Sequence, residues 1–188
     1  MAAGPGIVAA PSMTIADAQR DVRATFVGGF PGHLVVACIW LVSAALATWG
    51  SHRAAIVTLA VGGAFIFPIT QLALRLMGRP ASLPKGHPMN ALARQIAFIV
   101  PLCLPLIAAA TLDRRDWFYP AFMIVVGAHY LPFAHLYGMW EYEVLAALLI
   151  AAGLLIGLYL PIFSLGGWVT VVLFLAFAFV ARRAARAA

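Results

Sequence analysis

The sequence predicts an all-α protein, a polytopic transmembrane bundle of about six spans. Three observations predict it. Hydrophobic residues fill 64% of the 188 positions and charged residues only 10%, and the mean hydropathy is +1.00, outside the usual balance of a water-soluble domain. The apolar residues fall in long runs, and a bilayer core of roughly 30 Å takes about 20 residues of helix to cross. The runs are continuously apolar rather than alternating, so a transmembrane β-barrel does not fit.

Six runs are long enough, at 30–49, 54–77, 91–111, 117–138, 144–161 and 165–181. The last is the shortest. Residues 1–29 form a lead ahead of them. It lacks the order of a signal peptide, because its first charges, Asp17, Arg20, Asp21 and Arg23, follow the Gly/Pro/Ala-rich stretch instead of preceding an apolar one. Thr14 is placed to cap a short helix in which Ile15, Ala18, Val22 and Phe26 share a face, an amphipathic element suited to the membrane surface. The spans 30–181 make one domain, and 182–188 read as a basic tail.

Basic residues concentrate on the cytoplasmic side of a membrane, which places both termini in the cytoplasm. In that orientation Arg20, Arg23, Arg75, Arg79, Lys85, Arg94, Arg182, Arg183 and Arg186 lie inside, against Arg53, Arg114 and Arg115 outside. Aromatic belts agree, with Trp49, Trp117, Tyr119, Tyr159 and Trp168 at outer ends and Trp140 and Tyr142 at the inner end. The expected location is a bacterial inner membrane, multi-pass. The expected partners are the bilayer itself and anionic lipids at its cytoplasmic face. The net charge of +6 is scattered over helix ends and forms no separate basic domain, which argues against nucleic acid.

One stretch breaks the apolar pattern. Residues 126–143, VGAHYLPFAHLYGMWEYE, place His129, Tyr130, Pro132, His135 and Tyr137 in the fourth span, with Glu141 following. The second span carries Pro68, Gln71 and Arg75, and the third carries Asn90, Arg94, Gln95, Pro101 and Pro105. Each proline removes a backbone donor and frees a carbonyl, a natural place for a kink. Polar groups are costly in lipid and normally face the bundle interior or water. These residues therefore predict a polar, ligand-binding cavity in the cytoplasmic half of helices two to four, open to a small polar or anionic solute. A plainer reading stands beside it: histidines and tyrosines can simply bond neighbouring helices, and Arg75 and Arg94 can snorkel to the headgroups.

Other chemistries find less support. His129 and His135, six residues apart, project roughly 120° apart on a helix, and no HExxH or Cys/His cluster accompanies them, so no metal site or cofactor is indicated. No nucleophile elbow surrounds Ser43, Ser51, Ser82 or Ser164. Cys38 and Cys103 read as small apolar residues of two different spans. Gly153 and Gly157 form a GxxxG, read first as internal helix packing and second as the face of a homo-oligomer.

The GAHYLPF core of the fourth span, the LYGMW that follows it and the HPMNALARQ opening of the third together resemble a family of small bacterial integral membrane proteins that is itself uncharacterised. The resemblance covers nearly the whole chain. It implies six helices and a signature in the fourth, and it carries no substrate, mechanism or cofactor. The leading function is a small transporter or ligand-binding membrane protein, followed by a non-catalytic membrane subunit or assembly factor and then by an intramembrane enzyme. The last two spans and their loop offer only Tyr159, Ser164 and Thr170 as polar side chains, which is little for a path across the whole membrane.

Overall fold

The structure is a computed structural model that describes residues 13–187; the Gly/Pro/Ala-rich stretch 1–12, judged above against a signal peptide, lies outside the described residues. The chain opens with α1 (Ile15–Phe26). Thr14 caps it from an extended conformation: its hydroxyl oxygen accepts the Asp17 N–H at 3.2 Å, and its hydroxyl donates to the Asp17 carboxylate at 2.6 Å. That satisfies one of the donors a helix start leaves free. Three successive left-handed residues, Val27, Gly28 and Gly29 (φ 53°, 62° and 85°), then turn the chain into α2 (Phe30–Trp49). Glycine is required twice over here. A Cβ on Gly28 would stand 2.6 Å from the Ala181 carbonyl oxygen, and one on Gly29 would overlap the Tyr142 hydroxyl.

The remaining helices are α3 (His52–Leu76), α4 (Asn90–Asp113), α5 (Phe118–Tyr137), α6 (Glu141–Tyr159) and α7 (Leu165–Ala187). Six helices are long and apolar enough to cross a membrane, α1 being counted there with α2. Two ends differ from the sequence-based bounds by three residues or more. Helix α6 starts at Glu141, three residues early, with Glu141 and Glu143 in its first turn, where the positive end of the helix dipole favours carboxylates. Helix α7 continues through the basic tail to Ala187, because Ala and Arg are strong helix formers and cations suit a C-terminus. The backbone stays helical through Pro68, Pro101, Pro105 and Pro132.

Successive long helices alternate in direction, so the ends of α3, α5 and α7 meet the starts of α2, α4 and α6 at the end of the bundle that holds α1. Helix α7 packs on both α2 and α6, and α6 packs closely on α5. The two remaining helices flank this group, α3 against α2 and α4 against α5, and make no extensive contact with one another. They are correspondingly exposed: only 11% of the most apolar stretch of each is buried.

Lipid removes the hydrophobic drive between helices, leaving close packing and hydrogen bonds to hold them. Both are visible. Gly127 of α5 lies against Ile150 and the Ala146 carbonyl of α6, Gly153 against the Pro120 carbonyl, and Gly157 against Pro120 and Trp117. The GxxxG pair thus faces α5 of the same chain. On the far side from α1, the Ser43 hydroxyl donates to the Ala55 carbonyl at 2.9 Å. Its one proton so committed, it accepts from the Tyr119 hydroxyl at 2.6 Å. This buried relay ties α5, α2 and α3. Tyr119, read above as a belt residue, is instead wholly buried.

Candidate functional site

Consecutive residues on a helix point about 100° apart, and α5 distributes its polar side chains accordingly. Tyr130 and Tyr137 are seven residues apart, share a face and are both buried in the core. His129 is half-buried, its ring 5.1 Å from that of Phe133 and its Nδ1 buried without a hydrogen-bond partner among the described residues. The His135 side chain is exposed at the helix end. On α3, Gln71 donates to the Ala81 carbonyl at 3.4 Å and Arg75 is exposed. On α4, Arg94 and Gln95 are exposed, and the Asn90 amide donates to the Pro84 carbonyl at 2.8 Å. Glu141 sits half-buried in the first turn of α6. The ten residues therefore do not line one cavity. They fall into an inner cluster, a surface depression and isolated positions.

The inner cluster centres on a residue the sequence reading passed over. His33 of α2 is 3% exposed. Its Nδ1 lies 2.8 Å from the Gly29 carbonyl, which can only accept, so Nδ1 carries the proton and Nε2 is left as an acceptor. Nε2 is buried and has no hydrogen-bond partner among the described residues. Four aromatic rings surround the imidazole, with centroids at 5.5 Å for Tyr130, 5.6 Å for Tyr142, 6.1 Å for Phe174 and 5.1 Å for Phe177. Tyr142 donates its hydroxyl proton to the Gly28 carbonyl at 2.9 Å; it is fully buried and not in the aromatic belt where the sequence reading placed it. The available signal was the position of His33, one helical turn after the double glycine.

Helix α1 closes this end of the bundle. The last carbonyls of α5 have no partner within their own helix. Two α1 side chains supply one, Gln19 donating to the His135 carbonyl and Arg23 to the Tyr137 carbonyl, each at 2.6 Å. Ala18 and Val22 are buried beneath. Two further contacts reach the α3–α4 loop: Arg79 donates to the Ala24 carbonyl at 3.0 Å, and the Asp21 carboxylate lies 3.7 Å from His87 Nε2.

That loop and the start of α4 form the surface depression, with a volume of about 480 Å³, lined by Lys85, Gly86, His87, Pro88, Asn90, Ala91 and Arg94. Lys85 and Arg94 are exposed and make no ion pair among the described residues. The Asn90 N–H at the start of α4 is taken by the His87 carbonyl, but no acidic residue occupies the first turn, so no carboxylate there offsets the positive end of the helix dipole. His87 is 7% exposed. Its Nδ1 accepts the Met89 N–H at 3.2 Å, which leaves the proton of the neutral ring on Nε2, facing Asp21. Asn90 and Arg94 were legible as site candidates, whereas Lys85 and His87 were not, since they lie in the loop and not on a span. Among the described residues no three His, Cys, Asp or Glu side chains group as a metal site.

No curated protein and no solved structure matches the chain. A family model does, over residues 15–183, and that range takes in α1, the His33 cluster and the depression. The chain belongs to this family, a family of unknown function (DUF7010).

Proposed function

We propose that this multi-pass membrane protein is a ligand-binding protein that captures an anionic, phosphate-bearing group at its cytoplasmic face. The observation that carries the reading is the depression at the start of α4, where Lys85 and Arg94, both free of acidic partners among the described residues, meet a helix N-terminus with no acidic residue in its first turn. Helix N-termini with nearby cations are ready sites for anions. Asp21 is the carboxylate that faces this region, and it stands against His87 and is not part of the lining. Binding is favoured over translocation because the interior hydroxyls of Ser43, Tyr119 and Tyr142 are engaged within the protein: Tyr119 meets Ser43, Ser43 meets the Ala55 carbonyl, and Tyr142 meets the Gly28 carbonyl.

Inorganic phosphate is the simplest probe. A ligand held a hundredfold above its Kd stabilises the folded state by about 2.7 kcal/mol, which for a chain of this length raises Tm by about 5–10 °C. The purified protein in mild detergent should show such a rise, and Lys85→Gln/Arg94→Gln should not. Proteoliposomes should show no phosphate uptake. A missing shift in the parent protein, or uptake dependent on the protein, would overturn the reading.

A further inference from the structure

Resting on that reading, we infer that the group held in the depression is the headgroup of an anionic phospholipid, with an acyl chain laid along the exposed face of α4. The depression and the helix surface are continuous. Asn90, Ala91 and Arg94 line the depression from the first two turns of α4, and steps of four residues lead from Arg94 to Phe98, Leu102 and Leu106, which are 62%, 75% and 68% exposed. Residues four apart are neighbours on a helix surface, so the cation heads an apolar ridge that winds about 40° per step around α4.

The lengths agree. From Arg94 to Leu106 the helix rises about 18 Å at 1.5 Å per residue, against about 15 Å for one leaflet of a 30 Å hydrocarbon core. Helix α3, which follows α2 instead of α4, does not cover this face. A free phosphate would use the depression alone, whereas a phospholipid uses both parts. Two exposed cations, at Lys85 and Arg94, complement one phosphate without a full desolvation cost.

The test uses the full chain in zwitterionic nanodiscs doped with phosphatidylglycerol, with inorganic phosphate added in a parallel arm. Native mass spectrometry should show one phosphatidylglycerol retained per chain in preference to the zwitterionic lipid. Retention should fall about fivefold for each cation removed in Arg94→Gln and Lys85→Gln. Phe98→Ala/Leu102→Ala should lower lipid retention while leaving the phosphate-induced thermal shift in detergent unchanged. All four residues are exposed, and unchanged monodispersity of each variant checks that it folds. If phosphate binds but phosphatidylglycerol is not enriched, the lipid inference fails and the anion site stands. If neither binds, both fail. Enrichment that survives Arg94→Gln/Lys85→Gln overturns the assignment to this depression.

Discussion

Replacing Gly153 by alanine tests whether the α5–α6 hairpin is held by close backbone approach. A Cβ there would lie 2.9 Å from the Pro120 carbonyl oxygen, 3.0 Å from Ile124 Cγ1 and 3.1 Å from Met123 Cβ. The first of these is backbone and cannot swing away, so the two helices must separate by several tenths of an ångström along their whole contact. Overpacking of this kind costs about 1–3 kcal/mol, or about 2–12 °C in Tm for a chain of this size. Gly63 of α3 is the internal control. It too is helical, but a Cβ on it would meet nothing within 4 Å, so Gly63→Ala should be neutral or stabilising by up to about 1 kcal/mol. Thermal unfolding in mild detergent, followed by loss of the monodisperse peak on size exclusion, measures both. Equal Tm values for Gly153→Ala and the parent, or a larger loss for Gly63→Ala, would refute the reasoning. Gly157→Leu should likewise lose the folded chain itself and not merely an oligomer, because Pro120 and Trp117 of the same chain already occupy the space.

Ser43→Ala should destabilise more than Tyr119→Phe, since it strands the Tyr119 hydroxyl and also removes the added bond to the Ala55 carbonyl, which keeps its partner within α3, at about 1–3 kcal/mol for a buried unsatisfied group; the order of the two Tm losses is the check. The Thr14 hydroxyl, helped by Arg20, holds the Asp17 carboxyl below its ordinary 3.8. A depressed acid stabilises the fold above its unfolded pKa and ceases to as pH falls through the folded one. Hydrogen exchange of the α1 amides should therefore be flat from pH 7 to pH 5, after correction for intrinsic rates, and rise below about pH 4, with Asp17→Asn losing that acid dependence. With Cys38 and Cys103 replaced, a cysteine at Ser82 in the α3–α4 loop should react with membrane-impermeant maleimide only in inverted vesicles. Labelling in intact cells would reverse the charge-based orientation.

The spans were legible because lipid imposes a length and a composition that no other constraint competes with. The bounds of α2, 30–49, could be read to the residue because Gly-Gly and Gly-Ser punctuate both ends. The site was less legible, for a geometric reason. A run such as AHYLPFAHLY concentrates polar residues in sequence, but a helix spreads them over its circumference, so His129, Tyr130 and His135 end in three environments. Spacing recovers part of this: Tyr130 and Tyr137, seven apart, share a face. It cannot say which neighbour that face meets. Here the neighbour is set by order of packing, since α5 meets α2 through Trp40 and Tyr119 while α3, its presumed partner, is carried off on the other side of α2.

His33 shows the limit most clearly. It stands alone in an apolar helix, and its one sequence signal, a place one turn after the double glycine, does not say which side chains surround it. What makes it so is the left-handed elbow 27–29, which brings the Gly29 carbonyl to its Nδ1 and the Gly28 carbonyl to Tyr142. The elbow also sets α1 across the ends of α5 and the α3–α4 loop, through Gln19, Arg23 and Asp21. One short turn therefore joins the buried cluster to the rim of the depression. His33→Phe tests that linkage. It removes an acceptor that has no partner among the described residues but also the Nδ1–H bond to Gly29, at a net cost of about 0.5–1.5 kcal/mol. Because the lost bond anchors the elbow, exchange of the α1 amides should rise in this variant while α6 and α7 stay protected. Uniform loss of protection, or none in α1, would show that the cluster and the α1 bracket are independent.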